Sequence, residues 1–214
     1  MGKKIWFLTG NLGKVKEAKQ HLQKLGYDVE QLIVDTDILE PQSDNLKLVA
    51  QAKITQALSH LPNENDMLLV EDAGLFIEHL NGFPGVFSAY VLNTIGCNGI
   101  LKLLAHLESE DPVMNGQMRR AEFQAVAALW TGDEILFGNG ICPGWISQEI
   151  DGEDGFGFDP VFIPFDLDVI GNPLTAGNYG KTSTHGATFG AVELEKKQLF
   201  SHRMRALNDL ISQL

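Results

Sequence analysis

Met67-Leu68-Leu69-Val70-Glu71-Asp72-Ala73-Gly74-Leu75 decides the reading of this chain. Four apolar residues in succession, then two carboxylates and a small-residue step, predict a buried strand that ends at Glu71 and delivers its acids to an edge of the sheet. Neighbours on an extended chain point to opposite faces, so Glu71 and Asp72 can serve one metal ion only if the backbone ends or bends there, as Gly74 would permit. The other reading pairs one acid with a lysine and leaves the second to solvent. Upstream, Ile5-Trp6-Phe7-Leu8 predicts another strand, and it runs into Thr9-Gly10-Asn11-Leu12-Gly13-Lys14. There a hydroxyl, a carboxamide and an ammonium surround a glycine turn at the start of a helix, where unpaired N–H groups favour an anion. The same turn also reads as an ordinary strand-to-helix connection with Asn11 as N-cap. Acids for a metal and donors for a phosphate, each at a strand end, imply chemistry on a polyphosphate.

Working outward, Val15, Ala18, Leu22 and Leu25 share one face of a helix from about Gly13 to Leu25, and a strand follows over Tyr27 to Val34. A polar loop containing Glu40-Pro41 then leads to a helix through Leu48, Ala52 and Leu58. This β-α-β-α-β order points to an α/β sheet. Ile100, Leu103, Leu104 and Leu107 predict a helix over Gly99 to Leu107. Two β-rich runs, Ala121 to Trp130 and Glu134 to Ile141, meet at Thr131-Gly132-Asp133 as a hairpin, which makes the sheet mixed. Asn172 to Gly190 reads as a mobile loop, and Glu193 to Leu214 as one amphipathic helix with Leu199, Phe200 and Leu207 facing inward.

Composition narrows the function. The 214 residues, 44% hydrophobic, suit one compact domain over 1–214, and a net charge of −12 from 16 basic and 28 acidic residues disfavours nucleic acid or an anionic membrane as partner. A small polyanion stays open if a divalent cation accompanies it. Cys97 and Cys142 lack zinc spacing and form no disulfide framework. The apolar run behind Lys3-Lys4 is too short for a signal peptide, and no run reaches the length of a membrane span, so a cytoplasmic protein is expected.

Three further segments carry polar chemistry. Gly155-Phe156-Gly157-Phe158-Asp159-Pro160 places two aromatics and a carboxylate in a glycine-rich bend, able to lay a ring on a flat base, or simply two core rings around a turn. Ser201-His202-Arg203 lies within the last helix, where the pair could read a purine edge or cap nearby acids. Gly180-Lys181-Thr182 is not a P-loop, because Thr175 stands where that motif needs glycine.

Taken in order, Thr9-Gly10-Asn11-x-x-Lys14, Glu71-Asp72-Ala73-Gly74-Leu75, Gly82-Phe83-Pro84-Gly85, the Gly155–Pro160 segment and Ser201-His202-Arg203 resemble the inosine/xanthosine triphosphate pyrophosphatase (Ham1) family almost end to end. The resemblance implies an elongated mixed-sheet α/β fold, two lobes around a nucleotide cleft, and a homodimer. It implies hydrolysis of ITP, dITP and XTP to the monophosphate and pyrophosphate with Mg²⁺. By similarity Thr9, Gly10, Asn11, Lys14 and Lys53 hold the triphosphate, Glu40, Glu71 and Asp72 are the metal-side acids, and Asp72 activates the water. Phe156, Gly157, Phe158 and Asp159 would sandwich the base, with His202 and Arg203 reading its edge. Ala73 stands where many relatives have serine, which leaves only a backbone contact. The family's lysine before Ser-His-Arg fits Lys197 by spacing, although Lys181 lies in what reads as an enlarged loop. Two alternatives remain at this stage: a Maf-type pyrophosphatase of pyrimidine or modified nucleotides, which Ser201-His202-Arg203 disfavours, and a nucleotide sensor without catalysis, which the intact acids disfavour.

Overall fold

A computed structural model describes residues 3–63 and 65–214. Among the described residues seven strands form one mixed sheet in the order β2-β1-β3-β5-β6-β7, with β4 paired to β3. They are β1 (Lys3–Leu8), β2 (Tyr27–Leu32), β3 (Met67–Ile77), β4 (Pro84–Gly85), β5 (Arg120–Trp130), β6 (Ile135–Ile146) and β7 (Phe162–Pro164). The helices are α1 (Leu12–Gln23), α2 (Leu46–Ala57), α3 (Ser88–Thr94), α4 (Gly96–Leu103), α5 (Pro112–Met118), α6 (Leu194–Gln198) and α7 (His202–Ile211). The chain divides into two compact units, one of residues 1–73, 125–140 and 203–214, the other of residues 74–124 and 141–202.

The first unit follows from its βαβ pattern. β1 pairs in parallel with β2, from Lys3 opposite Tyr27 to Leu8 opposite Leu32, and with β3, from Ile5 opposite Met67 to Leu8 opposite Val70. Parallel neighbours need crossover connections, which α1 and α2 supply. Ile5, Phe7, Ala18, Leu22, Leu69 and Leu207 are all essentially solvent-free and belong to one cluster. Burying a side chain such as Phe7 contributes about 1.5–3 kcal/mol.

The second unit has antiparallel pairs, Leu75 opposite Gly85 and Gly144 opposite Pro164 among them. Its core gathers Leu75, Ile77, Ile100, Leu104, Phe162, Phe189 and Phe200. A Cβ on Gly74 would stand 2.2 Å from the Gly85 carbonyl oxygen, so glycine at 74 is what lets β4 lie against β3.

Several sequence expectations need correction. β3 does not end at Glu71 but runs on to Ile77, because Leu75 and Ile77 find core partners and Gly74 accommodates β4 instead of bending the strand. The helix expected over Gly99 to Leu107 starts at Gly96 and stops at Leu103, with α3 directly before it. The expected C-terminal helix is two, α6 and α7, broken at Leu199–Ser201; Phe200 and Leu207 are buried as expected, whereas Leu199 is 57% exposed. The segment read as a mobile loop is tied down near its middle, since Leu167 bridges both Pro173 and Thr182, and Gly180 N–H donates to Asp166 Oδ2 at 2.9 Å.

Candidate active site

In the first unit the turn after β1 is built around Asn11. Its Oδ1 accepts from the amides of Gly13 at 2.9 Å and Lys14 at 3.3 Å, making it the N-cap of α1. Thr9 Oγ1 accepts from the Asn11 amide at 3.1 Å, and Gln31 Nε2 holds the Thr9 carbonyl at 2.7 Å. The capping reading of Asn11 is therefore realised, and it fixes a turn in which Gly10 is exposed, with open space where a Cβ would be. Capping orders the first turn of α1, whose amides and dipole favour an anion.

The two acids of β3 have different partners. Glu71, with no side-chain exposure, receives Lys14 Nζ at 3.1 Å and Arg203 Nε at 2.9 Å, both on Oε2. Lys14 Nζ also lies 3.4 Å from the Glu71 carbonyl oxygen, and Arg203 pairs in addition with Glu17. Burial alone would make the Arg203 guanidinium easier to deprotonate, but Glu71 and Glu17 outweigh it and hold its pKa far above the usual arginine value. Asp72 turns instead to Lys53, whose Nζ lies 3.4 Å from Asp72 Oδ1 and 2.7 Å from Glu40 Oε1. The Glu40 loop is fastened to α2 by Gln56, which accepts from the Leu39 amide at 2.9 Å and donates to the Leu39 carbonyl at 2.8 Å. Lys53 and Gln56 are one helical turn apart, so the same face of α2 positions both the cation and the loop bearing Glu40.

Burial pushes the Asp72 carboxyl above its ordinary value, against the lowering pull of Lys53 and then Lys14. Burial also opposes the Lys53 ammonium, yet Asp72 and Glu40 outweigh it and keep its pKa above the ordinary lysine value.

The donor set here fits a hard divalent cation. Glu40 and Asp72 aim an oxygen each at one cationic centre, Lys53 Nζ, and carboxylate oxygens are what such ions take. Among the described residues no group of three or more His, Cys, Asp or Glu side chains could hold a metal ion, so the protein would supply two carboxylates and leave other positions to phosphate oxygens and water. Glu71, expected as a third ligand, has its Oε2 taken by Lys14 and Arg203 on the other side of the strand. A continuous extended backbone through residue 72 separates the two faces, so the condition set by the sequence for a shared metal, an end or a bend, is not met.

The second unit holds the aromatic group. Asp159, 3% exposed, accepts from the Phe156 amide at 2.7 Å and from Lys197 Nζ at 2.7 Å, both on Oδ2. Gly155 has φ +83°, and a Cβ there would stand 2.3 Å from that same oxygen, so the glycine admits the carboxylate. Lys197 Nζ lies 4.2 Å from the Phe156 ring centroid, a cation–π contact that orients the ring. Phe158 departs from the base-sandwich expectation: 2% exposed, it belongs to the core cluster. The Gly157 carbonyl accepts from Cys97 Sγ at 3.7 Å. His202 is buried and stacked on Phe123, with centroids 4.9 Å apart and planes 15° apart. Arg203, expected to read the base edge, pairs with two carboxylates of the first unit, Glu17 and Glu71. Ala73 is partly buried and packs against the first unit's core.

Sequence reading missed Glu17, which is 2% exposed and paired with Arg203. The signal available was its place beside Ala18 and one turn from Lys14, an acid next to the helix's apolar face rather than opposite it. Lys53 was reached only through the family resemblance.

The profile of the Ham1 family matches residues 5–213. A dITP/XTP pyrophosphatase of Methanopyrus kandleri is 41% identical over 206 residues, 95% of this chain and 92% of the relative. One from Thermococcus kodakarensis is 37% identical over 99% of this chain and 97% of its own length. Among solved structures, the Staphylococcus aureus Ham1 protein superposes with a TM-score of 0.71 at 29% identity, covering 99% of this chain and 97% of that one.

Proposed function

The chain belongs to the Ham1 family, and on that premise we propose that it is a hydrolase converting deaminated purine nucleoside triphosphates (ITP, dITP and XTP) to the monophosphate and pyrophosphate, using Mg²⁺. The observation that carries the reading is the convergence of Glu40 and Asp72 on Lys53 in the unit that also presents the capped N-terminus of α1. In this reading the α1 amides, Thr9, Lys14 and Lys53 bind the triphosphate. Glu40 and Asp72 hold the metal, which when bound neutralises phosphate charge and polarises water. The Asp72 carboxylate takes the proton from a water whose oxygen attacks the α-phosphorus; the bond to the bridging oxygen breaks, and pyrophosphate leaves with that oxygen. Glu71, Arg203 and Glu17 keep Lys14 in place rather than touching the metal or the base.

The Phe156 ring carries the base, and Lys197 is the donor we assign to the C6 oxygen of hypoxanthine and xanthine. Adenine offers an amino donor at that position, so a donor in the protein rejects ATP by leaving polar groups unmatched. We further infer one functional domain over 1–214, a homodimer and a place in the cytoplasmic nucleotide pool; light scattering after gel filtration tests the dimer. Among the described residues no helix is long and apolar enough to cross a membrane.

The deciding assay measures pyrophosphate released from ITP, XTP, dITP, dUTP, GTP and ATP with and without Mg²⁺. Preference for ITP, dITP and XTP, lost without the metal, is expected. Release of orthophosphate instead, or turnover of dUTP above ITP, overturns the reading.

A further inference from the structure

His79 and His106, both in the second unit and outside every residue group invoked above, bring their Nε2 atoms to 3.2 Å, with ring centroids 5.2 Å apart and planes at 54°. A hydrogen bond between two neutral imidazoles accounts for that distance. A shared metal ion accounts for it equally well: two nitrogens on a tetrahedral ion with bonds of about 2.0–2.1 Å stand about 3.3 Å from one another.

The backbone beneath both rings is already fixed. His79 lies in the short turn Glu78–Leu80, closed by the Asn81 amide on the Glu78 carbonyl at 3.0 Å and the Gly82 amide on the Ile77 carbonyl at 2.9 Å. Ile77 is fully buried, and Leu80 packs against the second unit's core. His106 lies in the turn after α4, where the Leu107 amide donates to the Leu104 carbonyl at 3.0 Å. One NH of the buried Arg119 donates to the carbonyls of Leu104 at 2.8 Å and Leu107 at 3.3 Å, and both leucines are core residues. The two imidazoles project into solvent from roots that the core holds, so little ordering is left for a ligand to impose.

We propose that His79 and His106 form a surface site for a divalent transition ion of the zinc type. Imidazole selects Zn²⁺, Cu²⁺ or Ni²⁺ over Mg²⁺ and Ca²⁺, so the site is chemically separate from the carboxylate pair at Glu40 and Asp72. With no third His, Cys, Asp or Glu ligand among the described residues, water completes the coordination, and the ion exchanges rather than serving as a permanent structural centre. Binding balances without redox chemistry. The Nε2 proton that joins the two rings moves through solvent to Nδ1 of its own ring, each Nε2 gives a lone pair, and two waters leave the aqua ion. The bound ion cross-links the Glu78–Leu80 turn to the end of α4.

The test uses the full chain, stripped of metal, in mildly alkaline buffer that contains Mg²⁺. ZnCl₂ alone is titrated in, following the histidine ring ¹H–¹⁵N signals and the thermal midpoint of wild type, His79→Gln, His106→Gln and His60→Gln. Saturation at one equivalent is expected, with the His79 and His106 rings shifted and the midpoint raised. Loss of conserved outer partners alone costs metal sites 10- to 100-fold, so either glutamine in the pair should weaken binding at least about tenfold, while His60→Gln leaves it unchanged. Pyrophosphatase activity with Mg²⁺ reports that the variants fold. Equal zinc affinity in all four proteins, ring shifts confined to other histidines, or no saturable binding by wild type overturns the site.

Discussion

Glu71 and Asp72 are sequence neighbours, yet they occupy opposite electrostatic worlds. The Glu71 side chain has no exposure and is locked by Lys14 and Arg203, whereas Asp72 keeps 15% of its side chain accessible and faces Lys53 and Glu40. A strand turns each successive side chain to the other face, so a continuous β3 divides the pair. On one face Arg203 and Lys14, the latter with 17% of its side chain accessible, hold Glu71. The other remains a place where charge can be exchanged with a ligand. The acidic doublet thus divides between two ion-pair groups, Glu71 with Lys14 and Arg203, and Asp72 with the Lys53 that also pairs with Glu40.

The sharpest way to break this division is to remove each charge separately. Asp72→Asn is expected to cut kcat by roughly 10³–10⁴-fold, the upper range for a lost general base, while nucleotide affinity, measured by calorimetry with ITP, changes little. Near-normal turnover would remove Asp72 from the chemistry. Glu71→Gln should act first on stability, because removing one member of a buried charge network costs about 3–5 kcal/mol. Its thermal midpoint should fall clearly, and KM should rise as Lys14 loses its support. A stable Glu71→Gln protein with impaired Mg²⁺ activation would return Glu71 to the metal. Arg203→Ala sharpens the same point: as an anchor it should lower the midpoint and leave the ITP-to-ATP preference unchanged, whereas a base reader would lose that preference.

The aromatic group of the second unit differs from both faces of β3, since it presents a ring held by the Lys197–Asp159 ion pair. Stacking of a base on an aromatic ring is worth about 1–3 kcal/mol, so Phe156→Ala should raise KM for every purine triphosphate by about tenfold with little change in preference. Phe158→Ala should instead destabilise, because that ring is core. Steady-state kinetics beside thermal denaturation separates the two phenylalanines.

How much of this was legible follows from what periodicity encodes. The βαβ order, the hairpin at Thr131–Asp133 and the N-cap at Asn11 all rest on local signals, and each has its counterpart in the structure. The end of β3 was misplaced because two carboxylates look like a boundary, while Arg203 and Lys14, which neutralise Glu71, come from positions 132 and 57 residues away. No local pattern announces such a partner. The break between α6 and α7 escaped for a related reason: Phe200 satisfies the helical apolar spacing whether or not the helix continues, and its burial is decided by rings such as Phe189, 6.3 Å away. Phe156 and Phe158 had the same sequence signature, and only packing assigned one to Lys197 and the other to the core.

The smallest expected effect is the most discriminating, because it reads the field at Asp72 directly. A general base works only when ionised, and its ionised fraction falls as pH drops through its pKa. Burial raises the Asp72 pKa above the ordinary aspartate value, so the acid limb of kcat/KM should begin at a higher pH than a solvated aspartate would give. Lys53 and, after it, Lys14 restrain that rise. Lys53→Met should therefore move the acid limb further up in pH, with its loss of activity greatest in acid and least well above the limb. Lys14→Met should move the limb in the same direction but less, since Lys14 spends its charge on Glu71 across the strand. The comparison is made on pH profiles of kcat/KM for ITP at fixed free Mg²⁺. A larger displacement from Lys14→Met than from Lys53→Met would mean that β3 does not insulate its two carboxylates, and the separation of anchor from base would fail with it.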